Sequence, residues 1–204
     1  MAFDYSWLIG GPQGSGVDTA ANIFSRVGAK LGYHVFGKRE YHSNIKGLHS
    51  YFVVRLSDKK IRSNINGADI MVAYDAETLI RHGLEISNDG AIIYDSSIVN
   101  TSIDEIPTIE VDHRLRLDEF FKSKNMEPKV SSIIELAKES GVNVYPISFW
   151  DVLSNIADEL KRPELSRMTR MFNVLGVSFS LGVLKAPIAP LLESIEEILS
   201  LIHI

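Results

Sequence analysis

The 204-residue chain contains no cysteine. That excludes disulfides, cysteine-ligated iron–sulfur clusters and a thiol nucleophile within this chain. No apolar run reaches the ~20 residues that a membrane span needs. The longest candidate, 174–189, carries Lys185 and Pro187 and reads as a buried helix. There is no excess of positive charge either, and a formal net charge of −5 argues against general nucleic-acid binding. The first residues lack basic side chains and are interrupted by Asp4, so no secretory signal is read there. Neither an internal repeat nor a low-complexity stretch is present. A chain of this length fits one domain, and 1–204 is read as one. These absences fit a cytoplasmic protein that contacts neither membrane nor nucleic acid.

Glycine, by contrast, is concentrated near the start. Trp7, Leu8 and Ile9 read as the end of a buried strand, and Gly10, Gly11, Gly14 and Gly16 follow, with Pro12 and Gln13 between them. From Val17 the apolar residues Ala20, Ala21, Phe24, Val27 and Leu31 fall at helical spacing. Strand, glycine turn and helix in that order put free N–H groups at a helix N-terminus, where the dipole favours an anion. Glycine also lets backbone approach a phosphate closely. No Lys-Ser/Thr follows, so this is not the P-loop pattern, and the spacing is not G-x-G-x-x-G. A tight strand-to-helix turn that binds nothing stays open as the alternative.

Further along, Tyr33–Lys38 reads as a second strand, and a polar stretch without period, 38–50, leads into a β-branched and aromatic strand over Ser50–Leu56. Ile61–Ile65 is expected to return as an antiparallel partner, placing a hairpin at one sheet edge. Asp69–Tyr74 and Ala91–Tyr94 are buried strands ending in Asp75 and Asp95. Those two carboxylates either cap the turns that follow or form a pair for chemistry. A strand over Thr108–Val111 and a charged, exposed helix or insert over 112–127 come next. Then follow a helix over Val130–Ser140, a strand over Val142–Ile147 and a helix over Phe149–Leu160. Last are apolar helices over Met168–Leu184 and Leu191–Ile202. The alternation defines an α/β fold: a mainly parallel open sheet with helices on both faces and an edge hairpin.

Three stretches together resemble one family. Gly10–Gly16, here G-G-x-x-G-x-G, resembles a G-G-x-G-x-G turn with one more residue between its glycines. Glu40, Ser43, Ile45, Lys46 and Gly47 stand at the places of E-x-x-S-x-I/M-R/K-G-G, with Leu48 where a second glycine is usual. Asn173-Val174-Leu175-Gly176 matches an Asn before an apolar stretch ending in Leu-Gly. In this order, over nearly the whole chain, they resemble the gamma domain of the 2-oxoacid:ferredoxin oxidoreductases. The wording of 39–50 is closest to the archaeal type, where this domain opens a longer alpha chain. Tyr145-Pro146-Ile147-Ser148-Phe149 is a chance near miss to that chain's Y-P-I-T-P motif, because it lies inside an α/β unit of this domain.

The resemblance implies a component of an enzyme that decarboxylates a 2-oxoacid oxidatively to an acyl-CoA and passes electrons to ferredoxin. This chain would contribute coenzyme A binding and subunit assembly and be inactive alone. Thiamine diphosphate and iron–sulfur clusters are expected only in partner domains or subunits, with ferredoxin an indirect partner and a homo-oligomer the expected state. The resemblance and the turn together put coenzyme A on Gly11, Gln13, Gly14, Ser15, Gly16, Ser43 and Lys46, with no catalytic residue and no metal ligand in this chain. Lys38, Arg39 and Lys46 suit a second phosphate as charged donors. A ligand-free assembly module, supported by the small residues of 176–182, and an independent nucleotide- or flavin-binding α/β protein remain the other readings.

Overall fold

The structure is a computed structural model, and it describes residues 3–12, 14–41, 49–168 and 171–202. Six strands form one sheet: β1 (Asp4–Gly11), β2 (His34–Tyr41), β3 (Ser50–Ser57), β4 (Ala68–Ala73), β5 (Ile86–Asp95) and β6 (Asn143–Ile147). Their order across the sheet is β2-β3-β1-β4-β5-β6. The β1–β4, β4–β5 and β5–β6 pairs are parallel, whereas β3 is antiparallel to both β1 and β2. The helices are α1 (Val17–Lys30), α2 (Ala76–His82), α3 (Val111–Lys124), α4 (Val130–Glu139), α5 (Phe149–Glu159), α6 (Phe172–Val183) and α7 (Ala189–Ile202).

Side-chain alternation in the strands divides the interior into two cores. Trp7 and Ile9 of β1, Ile70 and Val72 of β4, and Ala91 and Ile93 of β5 face one side. There they meet α1, Val177 and Leu181 of α6, Leu191 of α7 and Phe149 of α5. The intervening Leu8, Met71 and Ile92 face the other side and pack with Leu79 of α2, Phe121 of α3 and Ile133 of α4. Both faces are thus covered, as a mainly parallel sheet requires.

The edge hairpin is present, but it is β2–β3 rather than 50–65. Residues 58–67 form no strand, since Ser57 to Gly67 is polar and lacks alternation. β3 instead inserts between β2 and β1. The expected strand over 108–111 is also absent. Ile106 and Ile109 bury as an i, i+3 pair from a turn, and Val111 opens α3. At the chain's end, α6 begins at Phe172, after a short 3-10 turn over Pro163–Arg167.

Candidate functional site at the glycine turn

The C-terminal ends of β1 and β4 and the start of β3 share one sheet edge, because Gly11 lies opposite Ser50 and Gly10 opposite Ala73. The end of β2 reaches that edge too, with Tyr41 opposite Ser50. A right-handed crossover between parallel strands would bring β2 directly beside β1, but β3 is inserted antiparallel between them. Their ends stand two strand spacings apart, about 9–10 Å.

The four glycines of the turn have different reasons for being glycine. A Cβ on Gly10 would strike Thr78 at 2.6 Å, and one on Gly11 would meet Ser15 Oγ at 2.8 Å. At Gly16 it would fall 1.9 Å from Asn173 Nδ2. Side chains of the protein itself therefore exclude larger residues at those three positions. Gly14 alone faces open space, with φ at +87° and no described atom within 4 Å of an added Cβ. It is the point where bare backbone is presented outward.

Gly16 is the N-cap of α1, in the left-handed conformation and with no side chain capping the helix. The Ser15 N–H is already donated to the Pro12 carbonyl at 3.0 Å, and the first helical bond runs from the Ala20 N–H to the Gly16 carbonyl. Helix geometry leaves the N–H groups of the first turn, through Thr19, directed at the end of the helix. They face a cavity of about 370 Å³ lined by Pro12, Gly14, Ser15, Gly16 and Thr19 on one side and Tyr74, Phe172 and Asn173 on the other. Tyr74 ties the two sides together. Its hydroxyl donates to the Phe172 carbonyl at 2.9 Å, and burial pushes its pKa up, so it stays a neutral donor.

Of the sequence-derived site residues, Gly14, Ser15 and Gly16 thus come together around one cavity, with Gly11 at the strand end beside it. Gln13, Ser43 and Lys46 lie outside the described residues. Strand alternation sends Lys38 and Arg39 to opposite faces. Arg39 pairs with Asp18 of α1 at 2.9 Å, whereas Lys38 pairs with Glu40 and lines a separate cavity of about 920 Å³ under β2 and β3. They do not serve one phosphate jointly. Asp75 and Asp95 are caps. Asp75 accepts from the Thr78 N–H at 2.9 Å, and Asp95 from the Ser97 N–H at 2.9 Å.

Asn173 is the site residue that sequence reasoning passed over. The Asn-Val-Leu-Gly match flagged it, but nothing in sequence separation of about 160 residues links it to the turn. A second cluster lies beyond Gly10. His49 Nε2 and His82 Nε2 are 3.1 Å apart, and Glu85 accepts from His82 Nδ1 at 3.0 Å, which holds the Glu85 carboxyl below its ordinary value. His49 also approaches Asp75 and Glu77, with ligand-type atoms within 4.8 Å of one another. Glu77 is committed there to Arg81, at 2.7 Å, and to the Thr108 hydroxyl.

An open α/β sheet that carries an uncapped, glycine-lined helix N-terminus at the carboxyl ends of its parallel strands defines the class, an α/β protein with its candidate site at that edge. The profile of the pyruvate ferredoxin/flavodoxin oxidoreductase family matches residues 6–201, and the chain belongs to that family. It is 39% identical over 190 residues to the alpha subunit of 2-oxoacid:ferredoxin oxidoreductase 1 from Sulfurisphaera tokodaii, covering 93% of this chain and 30% of that one. It is 35% identical over 198 residues to the alpha subunit of 2-oxoacid:ferredoxin oxidoreductase 2 from Aeropyrum pernix, covering 97% and 30%. The chain therefore spans about 30% of the length of these relatives.

Among solved structures, the fold is similar to the gamma subunit of a keto/oxoacid ferredoxin oxidoreductase from Geobacter sulfurreducens. The TM-score is 0.60 at 12% identity, with 95% of this chain and 84% of that one covered. It is also similar to a pyruvate oxidoreductase subunit from Thermotoga maritima, with a TM-score of 0.57 at 16% identity, covering 96% and 85%. The 2-oxoglutarate:ferredoxin oxidoreductase from Magnetococcus marinus, solved with 2-oxoglutarate, coenzyme A and succinyl-CoA, matches with a TM-score of 0.50 at 19% identity, covering 95% and 30%. No described helix is long and apolar enough to cross a membrane.

Proposed function

We propose that residues 1–204 act as one gamma-type domain of a cytoplasmic 2-oxoacid:ferredoxin oxidoreductase and that the glycine turn holds the phosphates of coenzyme A. The observation that carries this is Gly14, bare and outward-facing beside the uncapped N-terminus of α1, over a cavity with room for a phosphate group. The archaeal relatives supply the reaction class, and the Magnetococcus marinus enzyme, which holds coenzyme A, supplies the ligand by analogy.

In this reading decarboxylation takes place on thiamine diphosphate bound elsewhere in the assembly, and electrons leave through iron–sulfur clusters in partner domains toward ferredoxin. The absence of cysteine agrees, since this chain offers no thiolate for a cluster. Backbone N–H groups at Gly16 to Thr19 hold and orient the phosphates. Gly11, Gln13, Gly14, Ser15, Gly16, Ser43 and Lys46 are the proposed contacts, and Lys46 brings the positive charge. Association with its partners, or with a second copy, uses the apolar side chains left outside the core, among them Val111 and Leu115 of α3 and Leu192 of α7.

The test is calorimetry with coenzyme A on the chain as it purifies, with any partners it retains. Gly14→Val is expected to abolish binding. Lys46→Ala should weaken it about tenfold or more, the loss of one charge-assisted hydrogen bond. Unchanged binding by both variants would place the phosphates elsewhere. Pyruvate-dependent dye reduction by the chain on its own would refute the division of labour.

A further inference from the structure

The cluster beyond Gly10 brings metal-ligating side chains from two elements into one place. His49 immediately precedes β3, Asp75 caps α2, and Glu77 lies in the first turn of α2. A ring nitrogen of His49 and one carboxylate oxygen each of Asp75 and Glu77 all lie within 4.8 Å of one another. Ligand atoms around one zinc-sized ion stand about 3–4 Å apart, so a small side-chain rotation closes the set. His49 is 1% exposed and Glu77 5%, and Asp75 is partly buried. Two carboxylates this close and this dry repel one another unless a cation joins them. Arg81 meets Glu77 at 2.7 Å but also serves Glu110 at 2.8 Å, so its single charge is divided before Asp75 is counted.

The hydrogen bonds around His49 decide which of its nitrogens ligates. Glu85 accepts from His82 Nδ1 at 3.0 Å. A neutral imidazole carries one N–H, so His82 Nε2 is an acceptor, and His49 Nε2, 3.1 Å away, donates to it. The lone pair of His49 is thereby left on Nδ1. A histidine whose other ring nitrogen donates to a partner, itself held by a carboxylate, has the support that metal-ligating histidines have.

The oxygens are also available. Asp75 Oδ1 takes both the N–H and the hydroxyl of Thr78, which leaves Oδ2 for an ion. Glu77 Oε1 takes both bonds from Arg81, and Oε2 accepts from the Thr108 hydroxyl with a second lone pair to spare. A cavity of about 230 Å³ opens on the three residues, lined further by Thr101, Glu105 and Thr108, and offers water the remaining positions around an ion. We infer that His49 Nδ1, Asp75 Oδ2 and Glu77 Oε2 form a site for one divalent ion of the zinc or manganese type, which ties the start of β3 to the first turn of α2. One imidazole nitrogen with two carboxylate oxygens matches these ions, whereas magnesium prefers oxygen ligands alone. The site is independent of what the glycine turn binds.

The experiment is calorimetry on the full chain as purified, stripped with EDTA and titrated with zinc, manganese and magnesium chlorides, with thermal unfolding alongside. The wild type is expected to bind one Zn²⁺ per chain, to rise in Tm with zinc concentration, and to bind Mg²⁺ about tenfold or more weakly than Zn²⁺. Asp75→Asn keeps the acceptor for the Thr78 N–H and removes a charged ligand. It should bind zinc about tenfold or more weakly and lose the zinc-dependent rise in Tm, while folding as well as the wild type in EDTA. His49→Gln should lose zinc to the same extent, and Asp75→Asn decides the matter if His49→Gln does not melt cooperatively. His82→Phe removes the group that orients His49 and should cost about 10–100-fold in zinc affinity. His34→Ala, at an exposed histidine, should bind as the wild type does.

No zinc binding by the stripped wild type overturns the site. Undiminished binding by Asp75→Asn overturns it too, since the ion then sits on other side chains. Equal affinity for magnesium and zinc refutes ligation by His49, and wild-type zinc affinity in His82→Phe refutes the orienting role of His82.

Discussion

Gly14 and Gly16 have the same φ of +87°, yet alanine should cost very different amounts at the two positions. Either alanine pays for the left-handed conformation, about 1–2 kcal/mol for an L side chain. At Gly14 that is the whole cost, because no described atom lies within 4 Å of the new methyl group. At Gly16 the methyl group would fall 1.9 Å from Asn173 Nδ2, 2.5 Å from Cγ and 2.6 Å from Oδ1. Asn173 is buried and too short to swing clear, and overpacking of this kind adds about 1–3 kcal/mol.

The expected losses are therefore about 1–2 kcal/mol for Gly14→Ala and about 2–5 kcal/mol for Gly16→Ala. At about 2–4 °C per kcal/mol for a chain of this size, Tm should fall by about 2–8 °C and about 4–20 °C respectively. Urea unfolding of both variants, each also in an Asn173→Ala background, isolates the contact. The cycle should return a coupling of about 1–3 kcal/mol between positions 16 and 173 and none between 14 and 173. Equal losses for the two alanines, or a Gly16→Ala cost that persists without the Asn173 side chain, would refute the account of why position 16 is glycine.

Two further predictions concern the packing around the site. Trp7 Nε1 donates to Ser180 Oγ at 2.8 Å in the buried layer between β1 and α6. Ser180→Ala strands that N–H and should cost about 1–3 kcal/mol in urea unfolding; no measurable loss would mean the indole finds another acceptor. Burial raises the Asp75 carboxyl above its ordinary 3.8. A raised folded-state pKa contributes stability that is complete below pH 3.8 and is lost as pH rises through the folded value, so the ionised carboxylate is a burden at pH 7. Asp75→Asn keeps the acceptor for the Thr78 N–H and should match or exceed the wild type in stability at pH 7, with the advantage shrinking toward pH 4. A variant less stable at pH 7 by the same margin at every pH would contradict this.

The sequence by itself determined what depends on local order and period. Short continuous apolar runs at 7–9, 70–73 and 91–94 marked buried strands, and the glycine turn before Val17 marked the entry to α1. Asp75 and Asp95 behave as caps because a short acceptor after a strand satisfies N–H groups two or three residues on, a local matter. The absence of cysteine settled that no thiolate acts in this chain.

Tertiary structure decided everything that depends on which elements become neighbours. The order of residues could not show that β3 would enter between β2 and β1, because an antiparallel partner satisfies the β1 edge as well as a parallel one does. Lys38 and Arg39 are adjacent in sequence, and the pleat of β2 sends them to opposite faces. Three of the four glycines at the turn answer to side chains brought from residues 15, 49, 74, 78 and 173. Asn173 joins the turn only because the Tyr74 hydroxyl and the shared core set the first turn of α6 against the first turn of α1. That close approach is a property of packing, and no local pattern in the chain encodes it.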